Sequence, residues 1–234
     1  MSRPTDYEQR RVLLANGESV SAVIAYPDVP ALRHTPVVIL AHGAGNDMHS
    51  PFLSVIHSGL ATRGYITVKF NFPYKERGRR LPDRTPVLEA CYTQVLQHIR
   101  TERPGSRVVI GGKSLGGRIA SHLAANGADV AGLILLGYPL HPRHQTDKLR
   151  VAHLGRIRAP MLFFSGTRDP LCHVDLLKQA LAAVSAPWQL HIIAGGDHSF
   201  SVPKALRRED SAVWAEIIDV SDRWLQHFKL QFNP

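Results

Sequence analysis

Short apolar segments alternate with longer amphipathic segments along most of the chain. The short segments are rich in Val, Ile, Leu and Phe, and most have the near-continuous hydrophobicity of strands that are buried on both faces. They predict seven β-strands, at residues 19–25, 36–41, 66–70, 107–111, 130–136, 160–165 and 189–193. The alternation therefore predicts an α/β protein with a doubly wound, mostly parallel sheet and helices on both faces.

The segments between these strands carry helix signals. Ser50-Pro51 begins the first helix, with a cap residue before a proline at the first helical position, and Gly64 ends it. Further helices are predicted at residues 86–100, 115–126 and 174–184. The last helix has the clearest pattern, because apolar residues recur at three- and four-residue steps, at Val213, Ile217, Val220, Trp224 and Phe228.

Length and spacing indicate a single domain over residues 1–234. A chain of 234 residues supplies one substantial core, and it contains no internal repeat, low-complexity tract or long linker. The sizeable insertions are residues 71–85 and 138–159. Because both are short, there is little room for a lid domain.

Several classes of protein are disfavoured by composition. The polar opening, residues 1–11, lacks the apolar stretch of about 7–15 residues of a secretory signal. No apolar segment approaches the roughly 20 residues that span a bilayer. Cys91 and Cys172 are too few for a disulfide framework, and their spacing does not suggest a metal site. We therefore expect a cytoplasmic protein with neither a membrane partner nor a bound metal.

The chain has 28 Lys and Arg residues and 19 Asp and Glu residues, which gives a formal net charge of +9. The basic residues are scattered in loops without interleaved aromatic residues or a recognition motif, so we expect no nucleic-acid partner. The insertion 71–85 concentrates five of them, at Lys75, Arg77, Arg79, Arg80 and Arg84. This loop would attract a carboxylate or phosphate group, but Glu76 and Asp83 interrupt it and favour a solvated charged loop.

The segment 107–118 predicts a strand, a sharp turn and a helix, with G-x-S-x-G at Gly112, Ser114 and Gly116. A serine at the strained tip of such a turn needs small neighbours two residues away on either side, and it lies at the positive N-terminus of the helix. A phosphate-binding P-loop is excluded, because the position of its first glycine holds Arg107. Ser114 is therefore the candidate nucleophile.

Two later loops supply the partners that such a serine requires. In the α/β-hydrolase arrangement the order along the chain is Ser, acid, His, with acid and base on loops after later strands. Asp169 follows the strand at 160–165, and His198 follows the strand at 189–193. Among the competitors, His191 lies within a strand, His173 begins a helix, Asp175 lies within that helix, and Asp197 would point beside the histidine.

The first buried strand runs into His42-Gly43-Ala44-Gly45, where this arrangement donates one N–H to the oxyanion of the substrate. Ala44 is the candidate donor, with Gly43 and Gly45 as small neighbours that let the substrate approach the backbone. The second candidate donor is the N–H of Leu115. A plain strand-to-helix turn is the alternative for this loop.

With these motifs in family order, the sequence resembles the α/β-hydrolase superfamily over nearly its whole length. The run Gly111-Gly112-Lys113-Ser114-Leu115-Gly116-Gly117-Arg118 is similar to a small, lidless branch near dienelactone-hydrolase-like proteins, which includes the hydrolase-like domain of a chromatin-complex (NSL) subunit. The resemblance implies esterase-type chemistry. Ser114 stands where dienelactone hydrolases carry cysteine, so their lactone substrate is not carried over.

Lys113 is a second departure, because many esterases have an uncharged residue beside the nucleophile. Its charge would favour an anionic substrate, and it is therefore a candidate substrate-binding residue; a solvated or paired lysine is the alternative.

These features predict a serine hydrolase of the carboxylesterase type that cleaves a small ester substrate through an acyl-enzyme, with no cofactor. Thioesters and peptides remain alternative substrates of the same mechanism. A binding module that keeps the fold without catalysis is the competing hypothesis, since fold alone does not establish function.

Overall fold

Eight β-strands form one sheet in the computed structural model, within the residues that it describes, 6–28 and 35–230. The strands are β1 Asp6–Leu13, β2 Ser19–Tyr26, β3 Val37–Ala41, β4 Ile66–Phe70, β5 Val108–Lys113, β6 Gly132–Leu136, β7 Met161–Gly166 and β8 Trp188–Ile193. Their order across the sheet is β1-β2-β4-β3-β5-β6-β7-β8. The pairs β1–β2 and β2–β4 are antiparallel, and every other pair is parallel.

Helices cover both faces of this sheet, which confirms the predicted fold class. They are α1 Pro51–Ala61, α2 Pro73–Glu76, α3 Thr85–Glu102, α4 Leu115–Ala125, α5 Val174–Ala182 and α6 Asp210–Leu230. One core joins α1 and α6 to the sheet, and the second joins α3, α4 and α5 to its other face. No helix among the described residues is both long and apolar enough to cross a bilayer.

The hydrophobic pattern of the sequence predicted these elements because the apolar positions are the ones that the fold buries. Strands β3, β4 and β6 are buried at every position, as expected for central strands covered on both faces. All five apolar residues that were assigned to the stripe of α6, from Val213 to Phe228, are buried against the sheet.

Strand β1 was not predicted. Its sequence, Asp-Tyr-Glu-Gln-Arg-Arg-Val-Leu, lacks apolar alternation, and Val12 is its one buried residue. At the edge of the sheet, backbone pairing with β2 holds the strand, and this pairing does not depend on the side chains. Polar cross-strand contacts add to it, since the Tyr26 hydroxyl donates to Glu8 Oε2 at 2.8 Å.

The two insertions pack at the edge of the sheet where the parallel strands end. Insertion 71–85 contains the short helix α2, which the sequence did not predict. Insertion 138–159 folds back on itself, because the Tyr138 hydroxyl donates to the Arg150 carbonyl at 2.7 Å and the Arg150 N–H donates to the Leu140 carbonyl at 2.7 Å. Neither insertion builds a separate lid domain.

Candidate active site

Ser114 lies at the tip of the turn between β5 and α4. Its backbone has φ 51° and ψ −112°, which a residue with a side chain rarely adopts. Such a conformation costs on the order of 1–3 kcal/mol and persists only where the surroundings enforce it. Here the Ser114 N–H donates to the Leu136 carbonyl of the neighbouring strand at 2.9 Å. The Ser114 side chain is half-buried.

The glycines on either side of Ser114 are explained by one neighbouring atom, the carbonyl oxygen of Ala41. A Cβ added to Gly112 would lie 2.2 Å from this oxygen, and one added to Gly116 would lie 2.3 Å from it. Gly112 also has φ 150°. Strand β3 therefore packs against both ends of the turn, and the close approach requires glycine at both positions.

Asp169, His198 and Ser114 form one continuous hydrogen-bonded chain. The distance from Asp169 Oδ2 to His198 Nδ1 is 2.8 Å, and from His198 Nε2 to Ser114 Oγ it is 2.9 Å. Because a carboxylate only accepts hydrogen bonds, Nδ1 carries the proton and Nε2 is left to accept the hydroxyl hydrogen of Ser114. The structure thus brings together the three residues that the sequence placed in separate loops.

Burial differs along this chain of three residues. The Asp169 side chain is inaccessible to solvent, whereas the His198 side chain is 23% exposed. The second carboxylate oxygen of Asp169 accepts the Leu171 N–H at 2.8 Å. The loops that carry acid and base are joined by a hydrogen bond from the Arg168 N–H to the Gly196 carbonyl, at 2.8 Å.

The competing residues have other partners. Asp197 Oδ1 accepts the N–H groups of Ser199 and Ser201, at 2.8 and 3.0 Å, and so stabilises the turn that carries His198. His191 Nε2 lies 2.5 Å from Glu216 Oε1 on α6. The ring of His173 stacks on His141, with 5.3 Å between their centroids. Of these side chains, none contacts Ser114.

The loop after β3 is anchored by His42, a residue to which the sequence analysis assigned no role of its own. The Phe72 N–H donates to His42 Nε2 at 3.1 Å, so Nδ1 carries the proton and donates to the Gly43 carbonyl at 2.9 Å. Burial lowers the pKa of His42 to about 4, so the ring stays neutral. A histidine at the end of a fully buried strand was the available signal, since such a ring needs partners for both nitrogens.

Anchoring the Gly43 carbonyl fixes the candidate oxyanion donor. The Gly43 C=O and the Ala44 N–H belong to one planar trans peptide and point in opposite directions, so holding the first orients the second. Ala44 and Gly45 are exposed, whereas Gly43 is buried. A Cβ added to Gly43 would lie 3.6 Å from Ser114 Cβ, which places the loop beside the nucleophile.

Leu115 is the first residue of α4. Its N–H is one of the groups at a helix N-terminus that have no acceptor within the helix, and the helix dipole adds positive potential there. The two predicted donor positions thus flank the Ser114 turn.

Lys113 Nζ donates to the backbone carbonyl of His198 at 2.6 Å. The ammonium also lies 5.3 Å from the centroid of the Phe200 ring. Burial lowers the pKa of Lys113 to about 8, while Asp169 and Asp197 oppose this shift. Lys113 is the residue before the nucleophile, and its side chain therefore connects the end of β5 to the loop that carries the base.

Charged residues of the basic insertion 71–85 pair with opposite charges, both within the insertion and outside it. Arg77 Nε donates to Glu18 Oε1 at 3.0 Å, and Arg79 lies 3.7 Å from Asp83. Glu76 accepts from Arg11 at 2.7 Å. Within the described residues, no group of three or more His, Cys, Asp or Glu side chains is arranged to hold a metal ion.

A family described as "Alpha/beta hydrolase domain" matches residues 34–226 of the chain. Among solved structures, a dienelactone hydrolase from Anabaena variabilis superimposes with a TM-score of 0.75 and 20% identity, over 95% of this chain and 97% of that one. An α/β serine hydrolase without a lid, from Xanthomonas campestris, gives a TM-score of 0.70 and 19% identity, over 99% of this chain and 97% of that one.

A serine hydrolase homologue from Coxiella burnetii gives a TM-score of 0.72 and 19% identity, over 92% of this chain and 96% of that one. At these identities the likeness concerns the fold, which the three proteins share with this chain over nearly their whole length. The resemblance inferred from the sequence motifs is confirmed at the level of the superfamily.

Proposed function

The chain belongs to the α/β-hydrolase family, and from this premise we propose that it is a serine hydrolase of the carboxylesterase type that cleaves small ester substrates through an acyl-enzyme. One observation carries the proposal, the hydrogen-bonded chain from the buried carboxylate of Asp169 through His198 to Ser114 Oγ. A purely structural role would not require a strained serine at the end of that chain.

In the first half-reaction, Ser114 Oγ attacks the acyl carbon while His198 Nε2 takes the hydroxyl proton. The imidazolium that forms is stabilised by the ionised carboxylate of Asp169 at Nδ1. Negative charge develops on the substrate carbonyl oxygen, and the N–H groups of Ala44 and Leu115 stabilise it. His198 then returns the proton to the departing alkoxide, which leaves as the alcohol.

In the second half-reaction, the same groups act on water. His198 Nε2 accepts a proton from the water that attacks the acyl-enzyme, and the same N–H groups hold the oxyanion. The proton passes to Ser114 Oγ as the acid product departs. Each step is a proton transfer or an acyl transfer, so the cycle balances without an external cofactor.

Exposure of the site supports small or accessible acyl groups as substrates. Ala44 and Gly45 are exposed, Ser114 and Leu115 are half-buried, and neither insertion forms a lid domain. A substrate can therefore approach the nucleophile from solvent without movement of a covering domain. Thioesters and peptides fit the same mechanism, and a panel of matched acyl donors separates them from esters.

The position of Lys113 supports a positioning role. Its Nζ holds the carbonyl of His198, and it thereby restrains the loop that carries the base. The predicted contact of Lys113 with an anionic substrate remains a prediction, and hydrolysis of acyl donors with and without a carboxylate tests it directly.

A fluorophosphonate probe tests the proposal. The wild-type protein should be labelled at Ser114 and should hydrolyse short p-nitrophenyl esters, whereas Ser114→Ala should do neither. His198→Ala should lose both activities although the serine is present, because the hydroxyl is then no longer activated. Ser211→Ala, an exposed serine in α6, is the matched control.

The proposal is wrong if the folded wild-type protein neither reacts with the probe nor hydrolyses any of these substrates. The catalytic assignment is wrong if Ser114→Ala retains labelling and turnover. Thermal unfolding of each variant shows that a loss of activity is not a loss of fold.

A further inference from the structure

A basic cleft of about 340 Å³ lies between helix α4 and insertion 138–159. Five of the side chains that line it are cationic or titratable, and together they define the basic cleft: Arg118, His122, Arg150, His153 and Arg156. None of the residues that form the Asp169–His198–Ser114 chain lines this cleft. Arg118 nevertheless follows Ser114 by one turn of α4.

The arginines of the basic cleft have no carboxylate partner within the described part of the chain. Arg150 donates to the Pro139 carbonyl at 3.3 Å, and Arg156 donates to Asn126 Oδ1 at 3.4 Å. Arg118 Nε is buried, and no hydrogen-bond acceptor of the described residues reaches it. Three guanidinium groups therefore share one cleft, and only neutral acceptors are supplied to them.

Several other arginines of the protein do have a carboxylate partner. Arg63 pairs with Asp222 at 3.3 Å, Arg11 pairs with Glu76 at 2.7 Å, and Arg77 pairs with Glu18. Among the described residues, the acidic contact found in the basic cleft is that of Glu89 with His122, at 2.7 Å. The basic cleft thus brings three arginines together without a carboxylate partner among the described residues.

The groups in the basic cleft repel one another. Burial and the neighbouring Arg118 lower the pKa of Arg150. The pKa of His153 is lowered to about 4 by burial and by the positive charges of His122, Arg118 and Arg156. His153 is held in place, since its Nε2 lies 2.8 Å from Ser121 Oγ. A bound anion would relieve this repulsion and supply the acceptors that the cleft lacks.

We propose that the basic cleft is a binding site for a phosphate group, carried by inorganic phosphate or by a phosphate monoester. Guanidinium groups bind phosphate through paired, charge-assisted hydrogen bonds, and three arginines that line one cleft suit a dianion better than a single carboxylate. The volume of the cleft leaves room for an organic group beside the phosphate. The site is independent of the proposed hydrolase activity.

Thermal unfolding of the full chain tests this proposal, with sodium phosphate titrated against sodium chloride at matched ionic strength and pH 7. Phosphate should raise the unfolding temperature saturably, by roughly 5–10 °C at a concentration of 100 times Kd. Isothermal titration calorimetry then gives Kd for inorganic phosphate and for glycerol phosphate. Tighter binding of glycerol phosphate identifies a monoester as the ligand, and tighter binding of inorganic phosphate identifies the free ion.

Three variants locate the binding. Arg118→Gln, Arg150→Gln and Arg156→Gln should each weaken phosphate binding by about tenfold or more, because each removes a charged hydrogen bond. Arg223→Gln, an exposed arginine of α6 on the other face of the sheet, changes the net charge equally and should bind phosphate as the wild type does. Unfolding in chloride alone shows whether each variant is folded.

The proposal is overturned if chloride at the same ionic strength produces the same shift, or if the three variants bind phosphate with unchanged Kd. Acetate that binds as tightly as phosphate would identify a carboxylate site and would also overturn it.

Discussion

The Ser114 turn and the basic cleft begin one helical turn apart on α4. Their polar groups differ in whether they have partners within the protein. At the Ser114 turn, Asp169, His198 and Lys113 each have a partner within the protein, and their hydrogen bonds join three loops. In the basic cleft, Arg118 Nε has no partner among the described residues. The difference agrees with the two proposals, in which the first region is preorganised for catalysis and the second is completed by a phosphate ligand.

This contrast has a physical basis. A strained serine and a buried carboxylate are tolerated where the surrounding hydrogen bonds are already made, and such groups then need little reorganisation during a reaction. A cleft with unmatched charge stores unfavourable energy that an anion releases on binding. Five measurements test this contrast, from the largest expected effect to the smallest.

Substitutions in the Ser114 region should not add in their effects on kcat, because the residues act together as one unit. Ser114→Ala and His198→Ala should each lower kcat for p-nitrophenyl acetate on the order of 10⁶-fold, and the double variant should be no worse than either. In the basic cleft, by contrast, the double variant of Arg118→Gln and Arg156→Gln should bind phosphate more weakly than either single variant, because each arginine makes its own hydrogen bonds to the phosphate. A further large loss of kcat in the double catalytic variant would contradict the idea of a unit.

Asp169→Asn should lower kcat about 10⁴-fold while the fold is kept. The amide can donate to Nδ1 of His198, and the ring then presents a protonated Nε2 to Ser114, which cannot accept the hydroxyl hydrogen. Asp175→Asn, at an exposed carboxylate in α5, is the control and should leave kcat unchanged. Equal rates in the two variants would remove Asp169 from the mechanism.

Lys113→Met should lower kcat by about 100-fold and leave KM nearly unchanged, because a small displacement of His198 affects the reaction more than binding. Lys178→Met, at an exposed lysine of α5, is the matched control. A rise in KM with unchanged kcat, confined to anionic esters, would instead support the predicted contact of Lys113 with substrate.

The pH dependence of stability gives a second measure of Lys113. Its pKa is about 8 in the folded protein, against an ordinary value of 10.5. Between these values the unfolded chain binds more protons than the folded one, so this lysine makes the free energy of unfolding rise with pH over that window. Denaturant titrations should show this contribution in the wild type and not in Lys113→Met.

The free energy of unfolding in acid should also distinguish the two regions, and this is the smallest of the expected effects. Burial keeps His42 and His153 neutral with pKa values of about 4, against 6.5 in the unfolded chain. As pH falls from 6.5 to 4, the unfolded state therefore binds more protons, and the free energy of unfolding decreases. The Lys75 and Asp47 charges act on His42 in opposite directions, whereas His122, Arg118 and Arg156 all lower the pKa of His153.

Bound phosphate should reduce this acid-dependent loss, because it offsets the positive charges around His153 but does not reach His42. Denaturant titrations at pH 6.5 and 4.5 measure the loss, with and without phosphate. In His153→Gln the effect of phosphate on the loss should be smaller than in the wild type, and in His42→Gln it should be unchanged. An effect of phosphate in His153→Gln as large as in the wild type would place the phosphate elsewhere.

Much of the architecture followed from local patterns. All seven predicted strands lie within about two residues of their predicted bounds, because the burial of a central strand imposes a continuous apolar run. Strand β1 and helix α2 escaped prediction for the opposite reason. Backbone hydrogen bonds at a sheet edge hold the first, and four residues are too few for the second to show a helical period.

The sequence by itself determined the motifs whose chemistry is local. Glycines flank a serine between a strand and a helix, an aspartate follows one later strand and a histidine follows the next, and these positions needed only chain order to be recognised. Local spacing was sufficient because the ends of parallel strands meet at one edge of the sheet.

Only the tertiary structure decided the contacts between distant loops. His42 receives the N–H of Phe72, Lys113 reaches the carbonyl of His198, and Arg118 meets Arg150 and Arg156 across the basic cleft. These partners are separated by 30 or more positions in the chain. Their meeting depends on strand order and on the path of insertion 138–159, because a local pattern specifies which face of an element is buried but not which loop packs against it.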